Sequence, residues 1–210
     1  TLSNPTNSTL GTITVFTYTI INNDTAGISV NQNTSGSNIV IEGGATDSYS
    51  IYLNTRPTAD VVVNLQSNSQ YSFSSNSLTY STSNWNTPQA VTVTAVNDEI
   101  AQGNRSVNIN HSLASSDTFY NGLSFAVAFQ IFDNDFSGIT LIGGTNRTFY
   151  EDQFANIGLV LTSQPTGDVV ITPVRTNDEI TLSVSTVTFT SANWYTPQYF
   201  NAVGVDDAIV

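Results

Sequence analysis

Apolar and polar residues alternate with a period of two along most of the chain. Tyr49, Ile51 and Leu53 alternate with Ser48, Ser50 and Tyr52, and Val91 and Val93 with Thr92 and Thr94. Val107, Ile109 and His111 alternate with Ser106, Asn108 and Asn110, and Ile157, Leu159 and Leu161 repeat the first set further on. Side chains of a strand point alternately to its two faces, so this rhythm predicts half-buried antiparallel strands. No window carries a sustained apolar stripe at helical spacing, and Ser, Thr, Asn and Val are poor helix formers. Short strands separated by turn residues predict an all-β sandwich fold.

The strand pattern repeats. Residues 26–30 (AGISV) match 137–141 (SGITL), 56–63 (RPTADVVV) match 164–171 (QPTGDVVI), 83–89 (SNWNTPQ) match 192–198 (ANWYTPQ), and 95–98 (AVND) match 204–207 (GVDD). The stretch 15–24, VFTYTIINND, matches FAVAFQIFDND at 125–135, which gives a period of 135 − 24 = 111 residues. A period this long predicts two beads with separate cores, not thin solenoid coils. The expected organisation is an N-terminal strand in 1–24, a first sandwich in 25–135, and a second in 136–210 that lacks its last strand or strands. Thr1 aligns with Ser112 and Val210 with Ala101, so a second copy joined to another N-terminus recovers the repeat except for the equivalent of 102–111. The strand in 11–21, with Ile13, Val15, Phe16, Tyr18 and Ile20, therefore reads as a donor to a neighbouring copy. With neither Lys nor Met in the chain, no lysine guards the open edges, and the start at Thr1 reads as processed or truncated.

At these landmarks the chain resembles the Calx-β domain, and especially related repeats of very large bacterial surface proteins. The carriers are VTVTAVNDE (91–99), QIFDNDFSG (130–138), and LTYSTSNWNTPQ (78–89) with its partner VTFTSANWYTPQ (187–198). The resemblance implies tandem immunoglobulin-like sandwiches with calcium where consecutive units meet. It matches Glu42, Asp98, Asp133 and Asp135 to the family's calcium-site pattern. The chain departs from the family after the acidic turn, where Ile100-Ala101-Gln102-Gly103-Asn104 replaces further glutamates.

Charge points the same way. Sixteen acidic residues against four basic ones leave a net charge of −12, which excludes nucleic-acid or anionic-membrane binding through a basic footprint. Five acids of the first copy, Glu42, Asp98, Glu99, Asp133 and Asp135, fall at strand ends that can share one pole. Clustered carboxylates repel unless a cation lies between them, and Ca²⁺ takes six to eight such oxygens. The second copy keeps Glu151, Asp152, Asp206 and Asp207, and its matching terminal acid is Asp24 of another chain. The plainer reading is that these are solvated turn acids. Calcium is the one cofactor expected, with one ion per pole.

Other chemistry is thin. His111 is the sole histidine, lies in strand phase, and has no counterpart in the second copy, so it reads as structural. No nucleophile, base and orienting group can be named together, and no enzyme is expected. Trp85 and Trp194 repeat at one position and read as packed corners. Sequons occur at Asn7, Asn23, Asn33, Asn104, Asn110 and Asn146, but 24 Asn and 55 Ser or Thr in 210 residues give about six by chance. Asn7, Asn33 and Asn146 lie in expected loops. No run reaches the roughly 20 apolar residues of a membrane span. The expected function is a structural subunit of an extracellular or cell-surface filament, polymerising with copies of itself as donor-strand pili do and carrying covalent glycans. The rival expectation is a calcium-dependent adhesin repeat whose binding surface is the 117–122 loop.

Overall fold

The computed structural model describes residues 6–9, 11–12, 15, 17–32 and 38–207. Its strands are β1 (Ile28–Gln32), β2 (Ile39–Ile41), β3 (Asp47–Leu53), β4 (Val61–Leu65), β5 (Tyr71–Phe73), β6 (Ser77–Tyr80), β7 (Gln89–Ala95), β8 (Arg105–Ser115) and β9 (Ser124–Phe132). Then come β10 (Ile139–Ile142), β11 (Phe154–Leu161), β12 (Val169–Ile171), β13 (Ile180–Leu182), β14 (Val187–Phe189) and β15 (Gln198–Gly204). The fold is all-β, with two immunoglobulin-like sandwiches in tandem.

The first sandwich faces a four-stranded sheet, β1-β3-β7-β5, against a five-stranded one, β2-β9-β8-β4-β6. All its ladders are antiparallel except β2, which runs parallel to β9. The period-two pattern becomes burial directly: along β3 the side chains of Asp47, Tyr49, Ile51 and Leu53 are buried, while Ser48, Ser50 and Tyr52 are half-buried. Ile109 and Leu113 of β8 and Val127, Phe129 and Ile131 of β9 meet them across the core.

The second sandwich repeats the first in register. Ile28 lies opposite Leu53 in one and Ile139 opposite Leu161 in the other; Val61 lies opposite Tyr80, and Val169 opposite Phe189. Its first sheet is complete, β10-β11-β15-β13, but its second is β12-β14 alone. Among the described residues, β2, β8 and β9 have no counterpart there. The consequence is a small core of five buried residues, Leu159, Leu161, Val187, Phe189 and Phe200.

The tryptophan corner recurs as a device for ending a strand. Asn84 Oδ1 accepts the Ser81 N–H, Gln89 Nε2 donates to the Thr79 carbonyl, and the Trp85 carbonyl accepts the Leu53 N–H. Asn193, Gln198 and Trp194 make the same three bonds to Thr190, Thr188 and Leu161. Both indoles pack on their cores, as the packed-corner reading expects.

The N-terminal segment behaves differently from a strand of the sandwich. Its described residues join no sheet, and Tyr18 and Ile20 are 87% and 94% exposed. A strand needs a ladder partner for its N–H and C=O groups, and among the described residues no sheet edge supplies one to it. Ile13 and Phe16 lie outside the described residues.

Candidate metal centre at the junction of the sandwiches

Three chain segments converge where the first sandwich hands over to the second. The end of β2 delivers Glu42, whose N–H donates to the Phe132 carbonyl at the end of β9. The turn after β7 delivers Asp98, and the turn after β9 delivers Asp133-Asn134-Asp135. Parallel pairing of β2 with β9 is what brings the first and last of these to one pole. One carboxylate oxygen each of Glu42, Asp98 and Asp135 lies within 4.8 Å of the others.

Glu42 is 2% exposed. Its Oε1 takes an ion pair from Arg105 Nη2 at 2.6 Å, while its Oε2 is buried without a hydrogen-bond partner, and so is Asp135 Oδ2. Burial pushes the Asp135 carboxyl upward, and the charges of Asp133, Glu99, Glu42 and Asp98 push it further. A carboxyl whose proton affinity is raised by folding destabilises the fold once it ionises, so at neutral pH Asp135 on its own opposes folding. A divalent cation at this site would be held by Glu42, Asp98 and Asp135, would reverse that sign and would give the two orphaned oxygens a partner. The donor set is all oxygen, which suits calcium.

Asp133 has a different task. Its Oδ2 accepts the N–H groups of Gln102 and Gly103, and its Oδ1 accepts that of Asp135. Burial raises its pKa, but these backbone bonds and Arg105 outweigh it and hold the group below the usual range. Gln102 and Gly103, which follow the acidic turn, thus saturate Asp133 with backbone donors. Gly103, at φ 74°, adopts the left-handed backbone that the turn requires. Glu99 contributes its carbonyl to the seam, accepting the Gln164 N–H of the second sandwich at 2.6 Å.

The second sandwich brings no such group together among the described residues. Glu151 lies against the backbone of Gly204, and Asp152 sits at φ 60° in the turn before β11. Asp206 and Asp207 are exposed after β15, and Asp24 is exposed in the N-terminal segment. The sequence reading missed Arg105, the internal counter-ion; its only signal was one of four arginines placed just past an acidic turn.

Two other expectations find their places. His111 is 2% exposed, shares a 2.7 Å hydrogen bond with the Tyr49 hydroxyl and stacks on Phe125. Burial pushes its pKa down to about 4, so it stays neutral and structural. The 117–122 loop, offered as a binding surface, is committed to its own sandwich: Asp117 Oδ2 accepts the Thr58 N–H and Tyr120 packs in the core. Among the sequons, Asn7, Asn23, Asn104, Asn110 and Asn146 are exposed, with the Asn104 Oδ1 accepting the Asp133 N–H; Asn33 lies outside the described residues.

No family model matches the chain, and no curated protein matches it. Solved structures share the layout distantly. A periplasmic chaperone, SfaE, aligns at 7% identity and TM-score 0.36 over 52% of this chain and 58% of its own. The calcium binding domain CBD12 of CALX1.1 aligns at 12% and 0.35, over 85% and 76%. A protein of unknown function from Porphyromonas gingivalis W83 aligns at 12% and 0.38, over 84% and 83%. At this distance they carry no argument, and function rests on the chain's own geometry. No helix of the described chain is long and apolar enough to cross a membrane.

Proposed function

We propose that this chain is a structural subunit of an extracellular, cell-surface filament, joined head to tail by β-strand addition and stiffened by calcium. The observations that carry the reading are the second sandwich's two-stranded sheet and, at the other end of the chain, a segment that repeats β9 in sequence and whose described residues pair with no strand. At the offset of 111, Tyr18 stands for Phe129, Ile20 for Ile131 and Asp24 for Asp135. Phe129 and Ile131 are buried in the first core, while Tyr18 and Ile20 lie in water. Docking both returns about 1.5–3 kcal/mol of apolar burial for each side chain. Donor and acceptor lie at opposite ends, so the contact is heterologous and propagates. Partners are further copies of the chain, with glycans on exposed asparagines as decoration.

Calcium at Glu42, Asp98 and Asp135 supplies the stiffness. The site stands on the turn that connects β9 to β10, next to the seam bond between Gln164 and Glu99. Asp133 shapes the turn, and Glu99 adds negative field. In the assembled filament, Asp24 of one copy meets Glu151, Asp152, Asp206 and Asp207 of the next. The same junction supports a second reading, a calcium-dependent adhesin repeat in a longer surface array, which needs no donor strand.

Deleting residues 1–24 separates the two. Loss of filaments by negative-stain microscopy, with the first sandwich's melting unchanged, supports strand addition. Filaments of undiminished length overturn it and leave the array reading.

A further inference from the structure

The two sandwiches differ at one place where the first shows what the second has room for. In the first, the turn between β8 and β9 folds Tyr120 into the end of the core, where it is 1% exposed. Its hydroxyl donates to the Thr55 carbonyl at 2.7 Å and accepts the Thr55 N–H at 3.1 Å. Three residues earlier, Asp117 Oδ2 accepts the Thr58 N–H at 2.7 Å. The turn is thus fixed to the β3–β4 connection by an Asp-x-x-Tyr pair of anchors.

The counterpart of that connection lines a cleft of about 440 Å³ at the seam. By the offset 163 − 55 = 108, Ser163 stands for Thr55, Thr166 for Thr58, Leu161 for Leu53 and Val169 for Val61. All four line the cleft, Ser163 is itself buried, and Ile100 and Ala101 of the first sandwich line it as well. The frame around the position is the same in both sandwiches, because β10–β11 and β12–β14 keep the register of β1–β3 and β4–β6.

From this match we infer that the seam cleft is a socket for an Asp-x-x-Tyr hairpin turn on the polypeptide that completes the second sandwich. The ring lies over Leu161 and Val169, the phenol bonds to the Ser163 backbone, and the aspartate takes the Thr166 N–H. This rests on the reading that strands from outside the second sandwich complete it, and it specifies their form. The strand that borders β4 in the first sandwich is β8, not β9, so the open edge of β12 asks for a two-stranded unit. The N-terminal segment of a second copy carries a β9-type strand but has Thr6 and Thr9 where the anchors stand. The socket therefore ranks partners: a β8–β9 hairpin with both anchors binds more tightly than the self segment.

The test adds synthetic peptides to the full chain: residues 103–135 as the hairpin, the same peptide with Tyr120→Ala or Tyr120→Phe, and residues 6–24 as the self segment. Affinity is read by calorimetry, and location by amide exchange at Val169–Ile171. The expected result is protection of those amides by the hairpin, with affinity lowered about tenfold or more by Tyr120→Ala and a few-fold by Tyr120→Phe. Equal binding of the Tyr120→Ala peptide, or binding without protection of β12, overturns the socket. If 6–24 binds and the hairpin does not, the socket fails while completion from outside stands. If neither peptide binds, both fail.

Discussion

The two sandwiches share landmarks, registers and a tryptophan corner, yet one buries nineteen core residues and the other five. Seven of the nineteen, Val40, Ile109, Leu113, Tyr120, Val127, Phe129 and Ile131, come from β2, β8, β9 and their connecting turn, which have no counterpart among the described residues of the second. The acidic junction follows the same division. Where β2 runs beside β9, Glu42 meets Asp98 and Asp135; among the described residues of the second sandwich no comparable acidic group forms. Core and metal centre thus depend on the same pair of elements, β2 and β9, with β8 and its turn adding to the core.

The largest expected effect sets Phe129 against Tyr18, which occupy one position of the repeat. Phe129→Ala removes a buried ring and should cost about 3–5 kcal/mol of first-sandwich stability, read by denaturant unfolding. Tyr18→Ala should change the isolated chain by less than about 0.5 kcal/mol and instead weaken assembly, read by sedimentation. A large stability loss from Tyr18→Ala would show that the segment already packs at home.

Next comes the junction. Arg105→Met leaves the Glu42 carboxylate buried without its ion pair and should cost roughly 3 kcal/mol in chelator. Calcium should recover much of that loss, because binding to the folded state alone stabilises it. Melting curves of this variant that do not respond to calcium would remove the ion from the account.

A somewhat smaller effect belongs to acid. The folded pKa of His111, about 4, lies below its ordinary 6.5, so between those values the unfolded chain binds the proton more readily. Stability of the first sandwich should therefore fall as pH drops from about 6.5 to 4, by on the order of 2–3 kcal/mol. His111→Gln should flatten that slope, and the second sandwich, which has no histidine, should not share it. Smallest is the seam: calcium should narrow the spread of distances between the sandwiches, seen by small-angle scattering, with equal breadth in chelator counting against a shared ion.

Much of this was legible in the sequence because its causes are local or periodic. Alternation at Tyr49, Ile51 and Leu53 is itself the burial pattern of β3, and the SNWNTPQ repeat is itself a turn. The acids were legible as a set but not as roles. Asp133 binds backbone because Gln102 and Gly103 fold over it, and Arg105 reaches Glu42 from 63 positions away, both consequences of tertiary approach. Tyr120 was read within a loop because its partner, Thr55, is 65 positions distant. The 11–21 strand was legible as apolar alternation, but alternation does not say whether a partner edge exists.

The central claim, that β9's place in the second sandwich is taken by residues 13–21 of another copy, has a direct measurement in this cysteine-free chain. In the first sandwich, Ile41 pairs with Phe132. Their counterparts are Tyr150 and Ile21, both 85% exposed in the isolated chain. Neighbouring strands hold such paired positions within disulfide reach. The double variant Tyr150→Cys, Ile21→Cys, assembled and then oxidised, should run on a non-reducing gel as a ladder of covalent multimers, with either single variant giving at most dimers. Assembled material that shows no ladder, or a ladder that a shifted pair such as Tyr150→Cys with Val15→Cys forms as readily, would contradict it.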